Sequence, residues 1–415
     1  MTLPRILTIM GSGETSPTMS KVHRDLISRM GSAPVPAAML DTPFGFQENA
    51  DDITAKAVAY FRESVQREMG VASYRSADGA DGVDYELMLA RLREARYVFS
   101  GPGSPSYALS QWKASLVPVV LAEKVRTGGC VTFASAAAVT LGAFALPVYE
   151  VYKVGQRPHW LEGLDLLAEV GLRAAVVPHF NNAEGGNHDT RYCYMGERRL
   201  SGLEELLPDD VFVLGVDEHT ALILDLDAGT ATVVGIGAVT VRRRSTSSTL
   251  VAGETVPITE LSAGGSTTRT PRVTTTIADA NATDGASDPL LDGLAHHQAE
   301  FDAALVARDG RGAVKAFLEL DDLLVEWSRD SLQSDHLDRG RAALRAMVVR
   351  LGESADHGLR DPRTLVGPFV EALLDARRQA RTDRRFADAD GLRDRLVGAG
   401  VEVRDTADGT EWVLP

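Results

Sequence analysis

The chain has 415 residues, a net charge of −15 and only two cysteines, Cys130 and Cys193. At about 100 to 200 residues per domain, this length predicts two or three domains. The acidic balance argues against a broad phosphate-binding surface, and the lack of CxxC spacing excludes a disulfide scaffold or a cysteine-rich zinc site. No apolar run reaches about 18 residues, and the first is too short for a signal peptide, so we expect a soluble, cytoplasmic protein without membrane contact.

Short apolar runs alternate with helix-length segments over residues 1–245, which we take as the first domain. The predicted strands are, in chain order, 6–11, 37–40, 97–101, 130–134, 174–179, 211–217, 221–225 and 231–237. Most of the early runs are apolar throughout, as strands buried on both faces of a parallel sheet would be. The pattern predicts a doubly wound, mostly parallel α/β sheet that binds ligands at the carboxyl ends of its strands.

The composition changes after this α/β domain. Residues 246–288 are rich in Thr, Ser, Gly and Ala with little periodic hydrophobicity, which predicts a flexible linker. Residues 289–415 are helical in pattern and end in two β-like runs around Asp408-Gly409, a sequence typical of hairpin turns. The predicted second domain is therefore small and mainly α-helical, and it ends in a β-hairpin.

The segment CVTFASAAAVTLG (130–142) places Ser135 where a buried strand gives way to an Ala-rich helix. Three more polar loops follow predicted strands, namely GSGE (11–14), GPGSPS (101–106) and PHFNN (178–182). In an open α/β sheet such strand ends converge on one crevice. Ser135 is then either a nucleophile on a strand-to-helix elbow or an N-cap residue whose hydroxyl satisfies a helix amide.

A serine nucleophile needs a base that takes its proton and an acid that holds the base. His179 directly follows a buried strand and is the predicted base. Glu150 is the leading acid, and Asp189 and Glu184 are rivals. The alternatives are that His179 is a satisfied core histidine and that Glu150 is a surface acid on an edge strand.

The oxyanion of such a reaction needs backbone amide donors, and Gly103 and Ala136 are placed to supply them. A group of histidines and acids invites a metal interpretation, but it forms no HExxH or facial pattern: His188, Asp189, Asp217, Glu218 and His219. We therefore expect neither a metal nor a cofactor. Cys193 lies outside any strand-to-helix turn, so we do not expect it to be the nucleophile.

The order GSGE, GPGSPSYAL, strand–Ser–Ala elbow, PHF and GVDEHTALILD resembles the dipeptidase E and cyanophycinase family of serine peptidases over roughly residues 1–240. That family is related in fold to the class I glutamine amidotransferases. The resemblance implies that Ser135 is the nucleophile, His179 the base and Glu150 the acid of a hydrolase. Such a hydrolase would cleave an amide or isopeptide bond through an acyl-enzyme.

The segment HDTRYCYMGERRL (188–200) resembles the Arg-rich segment with which that family closes over its substrate. The resemblance implies that Arg191, Arg198 and Arg199 hold a substrate carboxylate, so the expected substrate is a small acidic peptide or aminoacyl conjugate. The alternative is that these arginines form a solvated helix face with Glu204 and Glu205.

One departure from the family concerns the elbow, which is usually G-x-S-A-G-A. Here Phe133 and Ala137 occupy the two glycine positions. Small residues usually flank such an elbow because larger side chains on either side would collide. The structure must therefore show whether Phe133 permits an exposed, strained Ser135.

Residues 365 to 414 resemble the C-terminal end of cysteinyl-tRNA synthetase, in the Arg/Ala helix, the F-A-x-A-D-x-x-R-D segment and the D-T-x-x-G-T-x-W hairpin. The nucleotide-binding motifs and zinc ligands of that enzyme are missing, so we do not expect this chain to activate cysteine. The resemblance implies tRNA contact through the basic half of the helix: Arg377, Arg378, Arg381, Arg384 and Arg385. The alternative is a solvated helix in a module for packing or dimerisation, since the protein is acidic and lacks an aromatic stacking ladder.

Two functions of different classes thus remain open. One is a serine hydrolase, and the other is a non-catalytic protein that binds a ligand in the crevice and tRNA or a synthetase through the C-terminal module. The sequence is compatible with an oligomer.

Overall fold

The computed structural model describes residues 3–78, 82–183, 188–244, 246–262, 288–307, 309–328, 336–358, 362–406 and 409–414. The chain forms two compact units. The first comprises Met1–His297 and Leu318–Gly340, and the second comprises Gln298–Phe317 and Arg341–Pro415. None of the helices in the described ranges is long and apolar enough to cross a membrane.

Fourteen strands are described in the first unit. They are β1 (Arg5–Met10), β2 (Ala37–Leu40), β3 (Gly70–Val71), β4 (Tyr97–Ser100), β5 (Gly129–Ala134), β6 (Phe144–Ala145), β7 (Leu161–Glu162), β8 (Ala174–Val177), β9 (Phe212–Val216), β10 (Thr220–Asp225), β11 (Thr230–Gly235), β12 (Ala238–Arg243), β13 (Thr246–Val251) and β14 (Thr255–Pro257). The eight predicted strands correspond to β1, β2, β4, β5, β8, β9, β10 and β11, with ends that differ by no more than two residues.

The helices up to the segment 263–287 are α1 (Pro17–Arg29), α2 (Ala50–Tyr60), α3 (Gly82–Glu94), α4 (Pro105–Trp112), α5 (Val117–Thr127), α6 (Ser135–Val139), α7 (Val148–Tyr152), α8 (Gly196–Glu205) and α9 (Ile258–Ser262). A π-helical turn (Phe61–Val65) and two 3-10 turns (Thr42–Phe44 and Leu166–Val170) complete this part. After it come α10 (Pro289–Val306), α11 (Gly310–Trp327) and α12 (His336–Gly358).

The main sheet has eight strands in the order β14-β11-β10-β1-β5-β4-β2-β3. Its central part, from β1 to β3, is parallel, and β10, β11 and β14 extend it in antiparallel fashion. Along β1, Leu7 and Ile9 pack in one core cluster while Ile6 and Met10 pack in another, and all four are fully buried. Helices therefore cover both faces, and the predicted doubly wound, mostly parallel α/β fold is confirmed.

A second sheet has the order β13-β12-β9-β8, in which β8 and β9 are parallel. Parallel neighbours end on the same edge of a sheet, so the loops that follow β8 and β9 lie side by side. These two loops carry His179 and Glu218.

The predicted linker begins too early at residue 246. Thr246–Val251 forms β13, which pairs with β12 along its whole length, and β14 and α9 continue the ordered chain to Ser262. Five of the six residues of β13 are exposed, so the strand has the polar composition of a linker although it forms a sheet edge. The rest of the predicted linker, 263–287, lies outside the described residues.

The second unit contains α13 (Pro362–Thr382), α14 (Phe386–Gly398), β15 (Glu402–Thr406) and β16 (Gly409–Val413). The two strands pair in antiparallel fashion, which confirms the small helical domain that ends in a hairpin; Asp408 of the predicted turn lies outside the described residues. Its core is a cluster of six buried side chains: Val370, Leu374, Leu396, Val401, Val403 and Trp412.

Candidate functional site

Ser135 stands on a strained turn between β5 and α6. Ala134 is still extended, with φ −126° and ψ 154°, whereas Ser135 has φ +47°. Positive φ is uncommon for a residue other than glycine and is the backbone signature of a nucleophile elbow. The hydroxyl of Ser135 lies 3.0 Å from Nε2 of His179.

The other nitrogen of His179 contacts a carboxylate. His179 follows β8, Glu218 follows the adjacent parallel strand β9, and Nδ1 lies 2.8 Å from Oε1 of Glu218. Two asparagines hold Glu218: Nδ2 of Asn182 lies 3.4 Å from the same carboxylate oxygen, and Oδ1 of Asn181 accepts the backbone amide of Glu218 at 2.8 Å. Serine, histidine and glutamate thus form one chain of hydrogen bonds.

The protonation states of Ser135, His179 and Glu218 follow from the electrostatics of Glu218. Burial by itself raises the pKa of Glu218, but the hydrogen bonds of His179 and Asn182 and the charges of His179 and His219 together outweigh it, and the pKa falls below its ordinary value. An ionised Glu218 only accepts hydrogen bonds, so Nδ1 of His179 must donate. In a neutral imidazole Nε2 is then the acceptor, and it faces the hydroxyl of Ser135.

The carboxylate beside His179 is that of Glu218, whereas the sequence favoured Glu150. Glu150 lies in α7, and its Oε2 atom is buried without a hydrogen-bond partner among the described residues. The rival Asp189 is engaged by Arg191 through two contacts of 2.9 Å, and Glu184 lies outside the described residues. The sequence contained one signal that favours Glu218 as the partner of His179: Glu218 directly follows a predicted strand, whereas Glu150 does not.

Phe133 does not obstruct the elbow. Its side chain is fully buried in the core, where its ring centroid lies 5.5 Å from that of Trp112. The chain turns at Ser135, so the Phe133 ring lies in the core while the Ser135 hydroxyl lies beside His179. The amide of Ala137 donates to the carbonyl of Gly101 at 3.1 Å, which ties the elbow to the GPGS loop.

The GPGS loop requires glycine at position 103. Gly103 has φ +137°, and a Cβ there would lie 2.1 Å from the carbonyl oxygen of Pro43. Ser104 then starts α4, and its hydroxyl accepts the amide of Tyr107 at 3.2 Å. The loop and Ala136, which directly follows Ser135, thus both lie at the carboxyl edge of the sheet.

The segment Tyr192–Tyr194 lies against the loop that carries His179. All three residues have left-handed φ values, 60°, 55° and 67°, which cost about 1–2 kcal/mol each. The amides of Tyr192 and Cys193 donate to the carbonyls of Phe180 and His179 at 3.0 and 3.2 Å. Burial raises the pKa of the Cys193 thiol to about 12, so this thiol is protonated and unsuited to nucleophilic attack.

The three predicted substrate arginines lie in and before α8. Arg191 is exposed and paired with Asp189, and Arg198 is exposed on the helix. Arg199 is half-buried, and its Nη1 lies 3.4 Å from the carbonyl oxygen of Met195. Glu204 does not belong to a solvated helix face with these arginines, because it is buried and pairs with Arg242 at 2.8 Å.

The acids and histidines that invited a metal interpretation are engaged in separate contacts. Asp217 accepts the amide of Ala238 at 2.9 Å, and burial raises its pKa to about 6. Glu218 holds His179, and Nδ1 of His219 lies 3.1 Å from the hydroxyl of Thr18. His188 is exposed.

Arg377 cannot serve the RNA contact for which it was considered. Its side chain is 2% exposed and binds Asp405 through two contacts of 2.8 Å, so it holds α13 to the hairpin. The other four arginines are exposed; Arg378, Arg381 and Arg385 pair with carboxylates of the same unit, and no described residue pairs with Arg384.

Comparisons with known proteins give different likenesses for the C-terminal residues and for the larger part of the chain. Residues 366–412 match the family described as the cysteinyl-tRNA ligase anticodon binding domain. The cysteine–tRNA ligase of Nocardioides sp. is 41% identical over 87 residues, 18% of this chain and 18% of that enzyme. That of Cereibacter sphaeroides is 53% identical over 45 residues, 11% and 9% of the two chains. The chain therefore spans less than a fifth of the length of these relatives.

Two solved structures resemble the larger part of the chain. A peptidase from an acI-B1 Actinobacterium aligns with TM-score 0.50 and 22% identity, covering 62% of this chain and 98% of that one. A Listeria monocytogenes EGD-e protein named as a peptidase E aligns with TM-score 0.37 and 11% identity, covering 60% and 100%. The larger part of the chain therefore has a fold like that of the actinobacterial peptidase structure, and residues 366–412 resemble an anticodon binding domain.

Proposed function

We propose that the first unit is a serine hydrolase that cleaves an amide or peptide bond through an acyl-enzyme. The observation that carries this proposal is the chain of contacts from Ser135 Oγ to His179 Nε2, 3.0 Å, and from His179 Nδ1 to Glu218 Oε1, 2.8 Å. The strained elbow at Ser135 and the fold shared with a peptidase support it.

The reaction runs in two halves. Ser135 Oγ attacks the carbonyl carbon while its proton passes to Nε2 of His179, and the ionised Glu218 stabilises the imidazolium. The C–N bond breaks as His179 returns the proton to the leaving amine, which leaves an ester on Ser135. Water, deprotonated by the same histidine, then hydrolyses the ester and restores the serine.

The amides of Gly103 and Ala136 are the proposed donors to the tetrahedral oxyanion. Ala136 directly follows the nucleophile, which is the usual source of one such amide. Gly103 lies in a loop joined to the elbow through the hydrogen bond from Ala137 to Gly101, and it carries no side chain that would block a ligand.

The proposed substrate is a small acidic peptide or aminoacyl conjugate. Arg198 is exposed on α8, and Arg191 is exposed in the segment that packs against the His179 loop. A substrate carboxylate would have to compete with Asp189 for Arg191, whereas Arg198 has no such competitor among the described residues. Arg198→Ala should therefore raise KM for an acidic substrate more than for its amide.

Labelling with a fluorophosphonate probe, followed by peptide mapping, tests the nucleophile. The proposal predicts a single adduct on Ser135 in the wild type, none in Ser135→Ala, and labelling slowed by about 10²-fold or more in His179→Gln, since base catalysis contributes that much. Cys193→Ala is the matched control and should label like the wild type. An adduct elsewhere, or labelling of Ser135 that ignores His179, would contradict the mechanism.

A second candidate function is tRNA binding by the C-terminal unit. The match to the anticodon binding domain over 366–412 favours it, together with the exposed Arg381 and Arg384. On this hypothesis Arg384→Glu should weaken tRNA binding for all sequences and reduce the salt slope by about 1. Filter binding at two salt concentrations measures both effects, and Arg62→Glu, on the first unit, is the control. Equal binding by both variants would exclude this surface.

A further inference from the structure

An aromatic side chain from beyond the segment 263–287 packs beside the candidate site. Trp327, the last residue of α11, lies edge-on to His219 with ring centroids 5.3 Å apart and planes at 70°. The two residues are 5% and 4% exposed, and both belong to the first unit. This contact joins the helical part of the unit to the turn that carries Glu218.

His219 is held from several sides. Its Nδ1 lies 3.2 Å from Oγ of Ser16 and 3.1 Å from Oγ1 of Thr18, and its amide donates to the carbonyl of Ser12 at 3.2 Å. The fit is tight, because a Cβ on Gly13 would lie 2.2 Å from Nδ1. The loop after β1 and the Trp327 ring thus enclose one imidazole between them.

The backbone at His219 is strained, with φ +52°. A left-handed conformation persists in a residue other than glycine only when its surroundings over-determine it. Because Glu218 precedes His219 directly, relaxation of this backbone would turn the carboxylate away from Nδ1 of His179. The contacts on the His219 ring therefore bear on the geometry of the Ser135–His179–Glu218 chain.

The segment that brings Trp327 here is anchored in the same unit. Asp288 accepts the amides of Leu290 and Leu291, at 2.9 and 3.0 Å, and so caps α10. Its other oxygen lies 2.9 Å from Nδ1 of His336, at the start of α12. The starts of α10 and α12, the helices before and after α11 in the chain, are thus joined to each other through Asp288.

We propose that Trp327 is a positioning residue of the hydrolase site, acting through His219 on the carboxylate of Glu218. This inference rests on the proposed function for its effect on rate, but not for the packing it describes. It makes the Trp327 end of α11, which belongs to the first unit, a working part of the site that the α/β segment would lack by itself.

The test compares Trp327→Ala with Trp327→Phe in the full chain, using the rate of fluorophosphonate labelling at Ser135. We expect Trp327→Ala to lower the maximal labelling rate by about tenfold or more, as small displacements of catalytic groups do, with little change in the probe concentration at half-maximal rate. Trp327→Phe retains the ring and should restore most of the rate. Trp412→Ala is the matched control, because Trp412 is equally buried but packs in the second unit.

Hydrogen exchange supplies a readout that does not need catalysis. Amides of residues 212–222 should exchange faster in Trp327→Ala than in the wild type, and at the wild-type rate in Trp412→Ala. If the wild type is not labelled but the exchange difference is present, the hydrolase proposal fails while the role of Trp327 in positioning the turn that carries Glu218 stands. Equal labelling and equal exchange in the two alanine variants would overturn the role of Trp327.

Discussion

Ser135 and His179 both have a φ of +47°, so the two residues that meet in the candidate site each carry backbone strain. The sequence predicted their proximity, because each follows a buried strand of an open sheet. It could not reveal the strain, which depends on how the surrounding loops close. Their catalytic roles remain predictions.

The strain at Ser135 predicts an unusual order of stability between two variants. Ser135→Gly and Ser135→Ala both lose the hydroxyl contact with His179, but glycine accommodates φ +47° without a Cβ clash. We therefore expect Ser135→Gly to be more stable than Ser135→Ala by about 1 kcal/mol, the reverse of the usual preference at a helix position. Thermal unfolding of the two purified variants measures this, and a more stable alanine variant would show that the elbow is unstrained.

Glu14 is a buried acid that the sequence placed only within the GSGE motif. It is 1% exposed, and its Oε1 has no hydrogen-bond partner among the described residues. A Cβ on Gly101 would lie 2.8 Å from this oxygen, so the carboxyl group sits behind the GPGS loop. Burial raises the pKa of Glu14, against the opposing effects of its own backbone amide and of His179.

This raised pKa predicts a pH-dependent gain in stability for Glu14→Gln. The folded protein binds the Glu14 proton more tightly than the unfolded chain, so the penalty of ionisation is absent below about pH 4.5 and grows as the pH rises through the folded-state pKa. We expect the variant to be more stable than the wild type by about 1–3 kcal/mol at pH 7, with the difference vanishing near pH 4. Urea unfolding at both pH values measures it.

Glu86→Gln, which changes an exposed acid on α3, is the control and should leave the free energy of unfolding unchanged at both pH values. A Glu14→Gln variant that is less stable at pH 7 than at pH 4, relative to the wild type, would mean that the folded protein stabilises the charged form.

Among the secondary-structure elements, the strands buried on both faces were the most predictable from sequence. Their continuous apolar runs give the signal that β1, β4 and β5 require. The edge strand β13 carries no such run, and so it was taken for linker. The carboxylate partner of His179 was missed for a related reason, since the adjacency of β8 and β9 follows from the topology of the second sheet rather than from any local pattern.

The helix predicted to carry all five arginines of the C-terminal unit ends at Thr382, and α14 begins at Phe386. The break falls at 383–385, where Arg384 has φ +57°. No glycine or proline marks this point, so the sequence lacked the usual signal for a helix end. Phe369 on α13 and Phe386 at the start of α14 are 73% and 59% exposed.

Arg377 should be the arginine on which the stability of this unit depends most. Its guanidinium is buried and bidentate to Asp405, so Arg377→Ala leaves that carboxylate with only the Thr410 hydroxyl and a longer contact of 3.5 Å to Arg381, and it opens a gap between α13 and the hairpin. We expect a loss of about 2–3 kcal/mol in the unfolding of this unit, less than for a fully buried pair because Asp405 is partly exposed. Arg378→Ala, which removes an exposed pair, should cost less than about 1 kcal/mol. Chemical denaturation with Trp412 fluorescence compares them.

For the whole molecule, the boundary between the two units differs from the one that composition suggests. Asp288–His297 and Leu318–Gly340 belong with the α/β fold, although the helical pattern begins at residue 289. Composition records where a sequence becomes helical, whereas unit membership depends on which side chains pack together, as Trp327 does with His219. A chain ended after residue 262 would therefore lack contacts of the first unit.

Two parts of the chain resemble different known proteins, and the function of the two parts together remains a proposal. A peptidase-like fold and an anticodon-binding-like module share one polypeptide here.

The proposed mechanism requires Glu218 to activate Ser135 through His179. We would measure the rate of fluorophosphonate labelling at Ser135 in two isosteric variants, Glu218→Gln and Glu150→Gln. We expect Glu218→Gln to slow labelling by about 10²-fold or more, since His179 would lose the ionised partner that orients it, while Glu150→Gln should label at the wild-type rate. Equal rates in the two variants, or a loss confined to Glu150→Gln, would contradict it.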